Sequence, residues 1–137
     1  MLKVETEAIS ATDYFDKNKY DLVLSTGGAL NFFKKDVALE IIERLKNNVN
    51  DGGYIYITVF TIHDNTFKRQ YDKAEQIEGD SYFSDKTTTW ISGFKDNELK
   101  ELFAGWKVIK YFEEDILDNG HGELHYHHTA SILARRA

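Results

Sequence analysis

The fold is decided by one stretch near the start of the chain, Tyr20-Asp21-Leu22-Val23-Leu24-Ser25-Thr26-Gly27-Gly28. Its apolar centre is short and continuous, which is typical of a strand buried on both faces of a parallel sheet. The glycine pair that follows requires a turn. We therefore expect residues 20–25 to form a central strand that ends at Thr26.

The neighbouring sequence alternates between strand and helix patterns. Residues 2–11 alternate apolar and charged side chains and predict a first strand. After Asp36, apolar residues recur with helical spacing as far as Val49, and Asn50-Asp51-Gly52-Gly53 should end that helix. Residues 54–60 are β-branched and aromatic and predict the second clear strand.

The second half of the chain begins with a polar segment. Residues 61–90 show weak periodicity, and a long segment of this kind inside a compact domain is often a functional lid. A helix over 98–103, a strand over 106–112, a turn at Asp118-Asn119-Gly120 and a last strand over 124–134 should follow. The order predicts an α/β fold with a mixed sheet and an antiparallel C-terminal hairpin.

Composition limits the class of protein. The 137 residues suit one domain, and their net charge of −6 argues against binding to a nucleic-acid backbone. With no cysteine, disulfides, thiolate zinc sites and cysteine nucleophiles are excluded. The sequence has neither a membrane-spanning apolar run nor the apolar stretch of a signal peptide, so we expect a cytoplasmic protein.

Several motifs, taken in order, resemble those of a known family. Tyr20–Thr26, a helix and then Asp51-Gly52-Gly53-Tyr54 resemble the later motifs of class I S-adenosylmethionine (SAM)-dependent methyltransferases. The remainder is similar to the C-terminal end of tellurite-resistance (TehB-like) methyltransferases. The positions that carry this similarity are Phe94, Glu98-Leu99, Phe103-Ala104-Gly105-Trp106, Tyr111, Glu113-Glu114-Asp115, Gly122-Glu123-Leu124-His125 and Ala130-Ser131-Ile132-Leu133-Ala134-Arg135.

The resemblance implies a partial Rossmann-like methyltransferase sheet. Residues 1–137 would supply strands resembling the family's third to seventh, with residues 2–11 as the third, in one incomplete domain. The glycine-rich turn after the family's first strand and the acidic residue that ends its second strand have no counterpart here. The implied cofactor is SAM, and we expect weak or no binding by this chain alone because those two features hold most of it.

The resemblance also suggests which residues contact the cofactor. Ser10 and Ala11 would lie where the family contacts the adenine, and Ser25, Thr26 and Gly27 would face the methionine part and the acceptor. Ligands of α/β proteins bind outside the carboxyl ends of strands, which fits the second group. The alternative is that Ser25 only ends a strand and the next residues only turn the chain.

The C-terminal strand carries a group of potential metal ligands. Glu123, His125 and His127 would share one face of a strand, with His128 on the other. Imidazole and carboxylate groups bind zinc or nickel, but same-face neighbours on one strand splay apart. We therefore expect a solvated hairpin face and no metal site.

The predicted lid contains further candidates. His63, beside Asp64, is a weak candidate for a general base because histidine titrates near neutrality. Lys68 and Arg69 can attract an oxyanion acceptor, although such side chains more often lie in solvent. Four aromatic residues can either line an acceptor pocket or fill the core. They are Tyr71, Tyr82, Phe83 and Trp90.

Two functional hypotheses follow from this sequence. The first is a SAM-dependent methyltransferase that acts on a small molecule or an oxyanion such as tellurite. The second is a non-catalytic, self-associating α/β remnant or one half of a split enzyme. In either case the strand at 20–25 would expose unpaired backbone groups, so we expect a homodimer through residues 20–26.

Overall fold

A computed structural model of the chain describes residues 1–120 and 122–137. The helices and strands, with a short 3₁₀ helix at Ala29–Phe32, follow in chain order. They are β1 (Tyr20–Ser25), α1 (Lys35–Asn47), β2 (Val49–Phe60), α2 (Asn65–Lys73), β3 (Ile77–Glu78), β4 (Ser81–Ser84), β5 (Thr89–Ser92), α3 (Glu98–Glu101), β6 (Lys107–Asp118) and β7 (His125–Arg135).

The main sheet has four strands in the order β1-β2-β7-β6. β1 and β2 are parallel, with Leu22 opposite Tyr54 and Ser25 opposite Ile57. β7 is antiparallel to both β2 and β6. The prediction that residues 20–25 and 54–60 lie side by side in the same direction is therefore confirmed, as is the mixed α/β class.

One face of this sheet carries the core. Alternate residues of β2 point to that face and are buried, as the period of two requires. α1 covers them with one apolar stripe, and α3 with the turn after it adds two more large side chains. The buried set includes Ala38, Ile41, Ile42, Ile55, Ile57, Val59, Leu99, Phe103, Ala130 and Ile132.

β1 is an edge strand of the main sheet, and this corrects the expectation of a strand buried on both faces. Val23 packs against the core, but Leu22 is 53% exposed and Leu24 is 59% exposed. A continuous apolar run predicts a strand with both faces buried. In the described sheet, only the face of β1 that carries Val23 is covered. An apolar strand therefore lies open to solvent.

The predicted first strand at residues 2–11 is wrong, because the structure has no strand there. Alternation yields a strand only where another strand lies alongside, and no described strand pairs with this segment. The residues that follow this segment are hydrogen bonded to the residue after α1. Asn48 Nδ2 donates to the carbonyls of Asp16 and Asn18, both at 2.8 Å.

Residues 61–90 are not a patternless loop. They form α2, the small sheet β3-β4-β5 and most of the turns between them. The short strands and the polar face of α2 hide their periodicity in the sequence. Whether this segment acts as a lid stays a prediction.

The C-terminal hairpin is confirmed and is longer than predicted. β6 runs to Asp118, which lies directly across from His125 on β7. Val49, predicted on the helix, is the buried first residue of β2, because α1 already ends at Asn47. Among the described residues, every helix is too short or too polar to cross a membrane, and a cytoplasmic location stays a prediction.

Candidate functional site

A cavity of ≈ 820 Å³ opens at the carboxyl ends of β1 and β2. The main sheet supplies one wall and the segment from α2 to β5 supplies the other. This is the edge of an α/β sheet at which ligands bind. Its lining includes Gly27, Gly28, Thr58, Phe60, Asp64, Phe67, Gln70, Tyr82, Lys86, Ser92, Asp118, His127 and Thr129.

The glycine pair after β1 gives the cavity a bare backbone wall. Gly27 and Gly28 have φ of +68° and +70°, which favour glycine. A Cβ at Gly27 would meet nothing within 4 Å, so a ligand can approach the backbone there. A Cβ at Gly28 would lie 2.5 Å from the Phe60 ring. Only glycine therefore lets Phe60 pack against this turn.

Asn31 joins the 3₁₀ helix to both walls of the cavity. Its buried amide donates to the carbonyls of Phe60 at 2.9 Å and Ser92 at 2.7 Å. Its oxygen accepts from the Phe60 backbone amide at 2.8 Å. The sequence does not reveal the role of Asn31, because a lone asparagine gives no sign of partners 29 and 61 positions away.

Asp64 connects α2 to β7. Its carboxylate is 2% exposed, and Oδ1 caps α2 by accepting from the Phe67 amide at 3.0 Å. Oδ2 accepts from His127 Nδ1 at 2.7 Å and from the His128 amide at 3.1 Å. The capping role has a sequence signal, an aspartate three residues before an apolar helical residue, but the contact with His127 has none.

His125, His127 and Asp118 converge at the start of the hairpin. The two histidine Nε2 atoms lie 2.9 Å apart, and Asp118 Oδ2 lies 3.7 Å from His125 Nε2 and 3.5 Å from His127 Nε2. The expectation that these same-face histidines splay apart is therefore wrong. Stacking of His127 on Phe60 and the hydrogen bond to Asp64 turn its ring toward His125.

The remaining candidates of that group take other positions. His128 points to the opposite side of β7, where its Nδ1 lies 2.5 Å from Thr61 Oγ1. Glu123 lies outside the converging group, in the connection before β7, and its carbonyl contacts His125 Nδ1 at 2.6 Å. The predicted solvated face is therefore only partly solvated, since the His127 side chain is 15% exposed.

Two buried hydroxyls at the cavity wall have no hydrogen-bond partner among the described residues. They belong to Ser92 and Thr129, which also line the cavity. Buried polar groups are usually paired, so these positions suit a polar ligand or water. Tyr82 offers a further donor, because burial, and then the nearby Asp64 charge, raise the pKa of its phenol.

The predicted cofactor residues do not all come together. Gly27 lines the cavity, with Ser25 and Thr26 immediately before it at the end of β1. Ala11 lines a different depression, which it shares with Tyr20 at the start of β1. Ser10 Oγ is hydrogen bonded to Thr12 Oγ1 at 2.8 Å within the exposed N-terminal segment. The structure therefore places Gly27 at this cavity and Ser10 and Ala11 away from it, and the cofactor roles of all five residues stay predictions.

Of the candidate residues in the predicted lid, some line the cavity and others lie outside it. His63 lies outside the cavity lining, exposed, with Nε2 2.6 Å from Asp96 Oδ1, so its position does not support a general base. Lys68 and Arg69 are exposed on α2, and Lys86 is the lysine that lines the cavity. Tyr82 lines it too, while Tyr71 packs on Tyr82 and Phe83 packs on Trp90.

Comparison with known families decides the classification. The family of tellurite resistance protein TehB matches residues 2–131. The chain belongs to this family. No curated protein sequence matches it.

Solved structures show the same fold. TehB from Haemophilus influenzae superposes with a TM-score of 0.70 at 22% identity, covering 99% of this chain. This chain spans only 42% of that protein. A SAM-dependent methyltransferase from Methanosarcina mazei gives a TM-score of 0.73 at 17% identity, covering 98% of this chain and 68% of its own. The fold is thus that of SAM-dependent methyltransferases.

Proposed function

We propose that this TehB-family chain forms the methyl-acceptor side of a SAM-dependent methyltransferase site. The observation that carries the proposal is the cavity at the carboxyl ends of β1 and β2. In this fold the reacting groups meet at that edge of the sheet. SAM supplies a methyl group already activated on its sulfonium, so the protein mainly aligns the two partners and excludes water.

The residues of this chain can divide those tasks. The backbone at Ser25, Thr26 and Gly27 would hold the methionine part of SAM, since the space beside Gly27 is open. Phe60 and Phe67 give the cavity an apolar part of its wall. The hydroxyls of Ser92 and Thr129 and the ammonium of Lys86 would orient the acceptor.

We further propose an acceptor of the tellurite type, a small oxyanion of tellurium or selenium. Such an acceptor is a soft nucleophile that needs no dedicated base, which agrees with the position of His63 outside the cavity. Lys86 provides a positive charge for it at the cavity wall. Family membership supports the same acceptor.

Methyl transfer can be measured directly. The chain is incubated with millimolar SAM labelled in the methyl group and with tellurite or selenite, and the two products of transfer, S-adenosylhomocysteine and the labelled methylated oxyanion, are separated by chromatography and quantified. Because cofactor affinity is expected to be weak, we predict slow product formation in proportion to protein concentration. Lys86→Met should reduce it severalfold, while Lys73→Met, a change on the exposed end of α2, should not. Product equal to the protein-free blank would contradict the proposal.

A second function is favoured by the open edge of β1. The exposed Leu22 and Leu24 suit a self-associating module in which two copies join through residues 20–26. Self-association is compatible with catalysis. A dimer that shows neither SAM binding nor methyl transfer would favour the non-catalytic alternative.

A further inference from the structure

We propose that Asp118, His125 and His127 form a binding site for a divalent transition-metal ion, with zinc as the best match. Among the described residues, one potential ligand atom from each lies within 4.8 Å of the other two. The proposal does not depend on methyl transfer, because it rests on the arrangement of these three side chains and of the groups that hold them.

The distances suit one ion. The three ligand atoms form a triangle with sides of 2.9, 3.5 and 3.7 Å. Ligands at the usual Zn–N and Zn–O distances lie about 3.3 Å apart around a tetrahedral ion. The observed sides lie on both sides of that value, so small side-chain rotations bring the three atoms to equal distances from one ion.

The contacts of the two Nδ1 atoms favour the tautomer in which each histidine keeps its lone pair on Nε2. His127 Nδ1 donates to the Asp64 carboxylate, which leaves Nε2 as the acceptor nitrogen of the neutral ring. His125 Nδ1 lies 2.6 Å from the Glu123 carbonyl, which can only accept, so His125 Nε2 also carries a lone pair. Two imidazole nitrogens and a carboxylate oxygen within 4.8 Å of one another are a donor set that suits zinc.

Each of the two histidines has a hydrogen-bond partner at its other ring nitrogen, which orients the imidazole ring. Metal-binding histidines usually donate their other ring N–H to a carboxylate or carbonyl, which orients the ring. Here Asp64 serves His127 and the Glu123 carbonyl serves His125. Asp64 is itself fixed by the amides of Phe67 and His128. Phe60 stacks on the His127 ring with centroids 4.6 Å apart.

Among residues 1–120 and 122–137, three side chains converge on this point, which leaves the ion a fourth position toward the cavity. Asp118 and His127 both line the cavity, so a water molecule or an anionic group that enters the cavity can take the fourth position. Three protein ligands with one exchangeable site are typical of a zinc ion that acts on or holds a small molecule. The ion would also add positive charge beside the acidic groups of Asp64 and Asp118.

Metal titration of the full chain, without an affinity tag, tests this proposal. The chain is stripped with a chelator and titrated with Zn²⁺ by calorimetry, and with Co²⁺ by visible absorption. We expect one ion per chain and the ligand-field bands of four-coordinate cobalt. His125→Gln and His127→Gln should each weaken zinc binding by about a hundredfold or more, and Asp64→Asn by about 10- to 100-fold.

A matched control is available in His63→Gln. This histidine is exposed and paired with Asp96, outside the triangle, so its removal should leave the zinc affinity unchanged. His125→Gln changes a partly exposed side chain, and circular dichroism verifies that it folds. If zinc does not bind, or if the affinity is the same in His125→Gln, His127→Gln and the unmodified chain, the proposal is overturned.

Discussion

Two buried polar side chains at the cavity, Asn31 and Asp64, are held by hydrogen bonds to the elements around them. Asn31 makes three such bonds, and Asp64 accepts three from α2 and β7. Each satisfies buried polar groups that would otherwise be costly. These hydrogen bonds join the main sheet to the segment from α2 to β5 at the cavity wall.

The two glycines of the β1 turn allow a matched comparison. Gly27→Ala and Gly28→Ala both place a side chain at positive φ, which costs roughly 1–2 kcal/mol. Only Gly28→Ala also displaces the Phe60 ring, for about 1 kcal/mol or more in addition. Denaturant unfolding should thus show Gly28→Ala as the less stable variant. Equal losses of stability would contradict the described packing of Phe60 on Gly28.

Tyr111 predicts how stability depends on pH. Burial, and then its hydrogen bond to Glu113 at 2.5 Å, raise the pKa of its phenol above the usual value of about 10. Above that usual value the folded chain retains a proton that the unfolded chain loses. The contribution of Tyr111 is therefore complete below pH ~10 and declines as pH rises toward the folded-state pKa.

Tyr111→Phe should flatten that decline. The free energy of unfolding is measured by denaturant titration at several alkaline pH values. The unmodified chain should lose stability more steeply with pH than Tyr111→Phe, while Tyr126→Phe, at an exposed position, should follow the unmodified chain. Parallel curves for the unmodified chain and Tyr111→Phe would refute the assignment.

At the scale of elements, β1 leaves apolar side chains and one strand edge exposed to solvent. It has one neighbour, β2, and carries Leu22 and Leu24 in solvent. An open apolar edge strand favours pairing with another strand. β6, the other edge of the main sheet, is more polar and charged along its length.

Light scattering after gel filtration tests the proposed dimer. We expect twice the mass of one chain, and Leu24→Asp should return it to one chain because the charge would be buried at the contact. Ile109→Asp, on the opposite edge strand β6, should leave the dimer intact. A single-chain mass for the unmodified protein at high concentration would refute association through residues 20–26.

The positions of helices and strands along the chain were easier to predict from sequence than the elements that pack beside them. β1, β2, α1 and the hairpin could be located because apolar runs and glycine stops are local signals. The environment of β1 and the state of residues 2–11 could not, since both depend on which strands lie alongside. For the same reason the contacts of Asp64 with His127 and of Asp118 with His125 could not be predicted, because they require the register of β7 and the position of α2.

At the scale of the whole molecule, this TehB-family chain carries its cavity at one edge of the main sheet. The core lies under one face of β2 and β7, and the carboxyl ends of β1 and β2 open into the cavity. Because the core lies under the face of the sheet and the cavity lies at its edge, the cavity is accessible from solvent. The central claim is that SAM binds at this edge, next to Gly27.

Titration of the isotope-labelled chain with SAM, followed through its backbone amides by NMR, tests that claim most directly. We predict saturable shifts with a millimolar dissociation constant, concentrated at Ser25, Thr26, Gly27 and Gly28, and reproduced by S-adenosylhomocysteine. The amides around Asn48, where α1 ends beside the start of β1, should not move. Unchanged amides at Ser25–Gly28 in millimolar SAM, or shifts confined to residues 1–19, would contradict it.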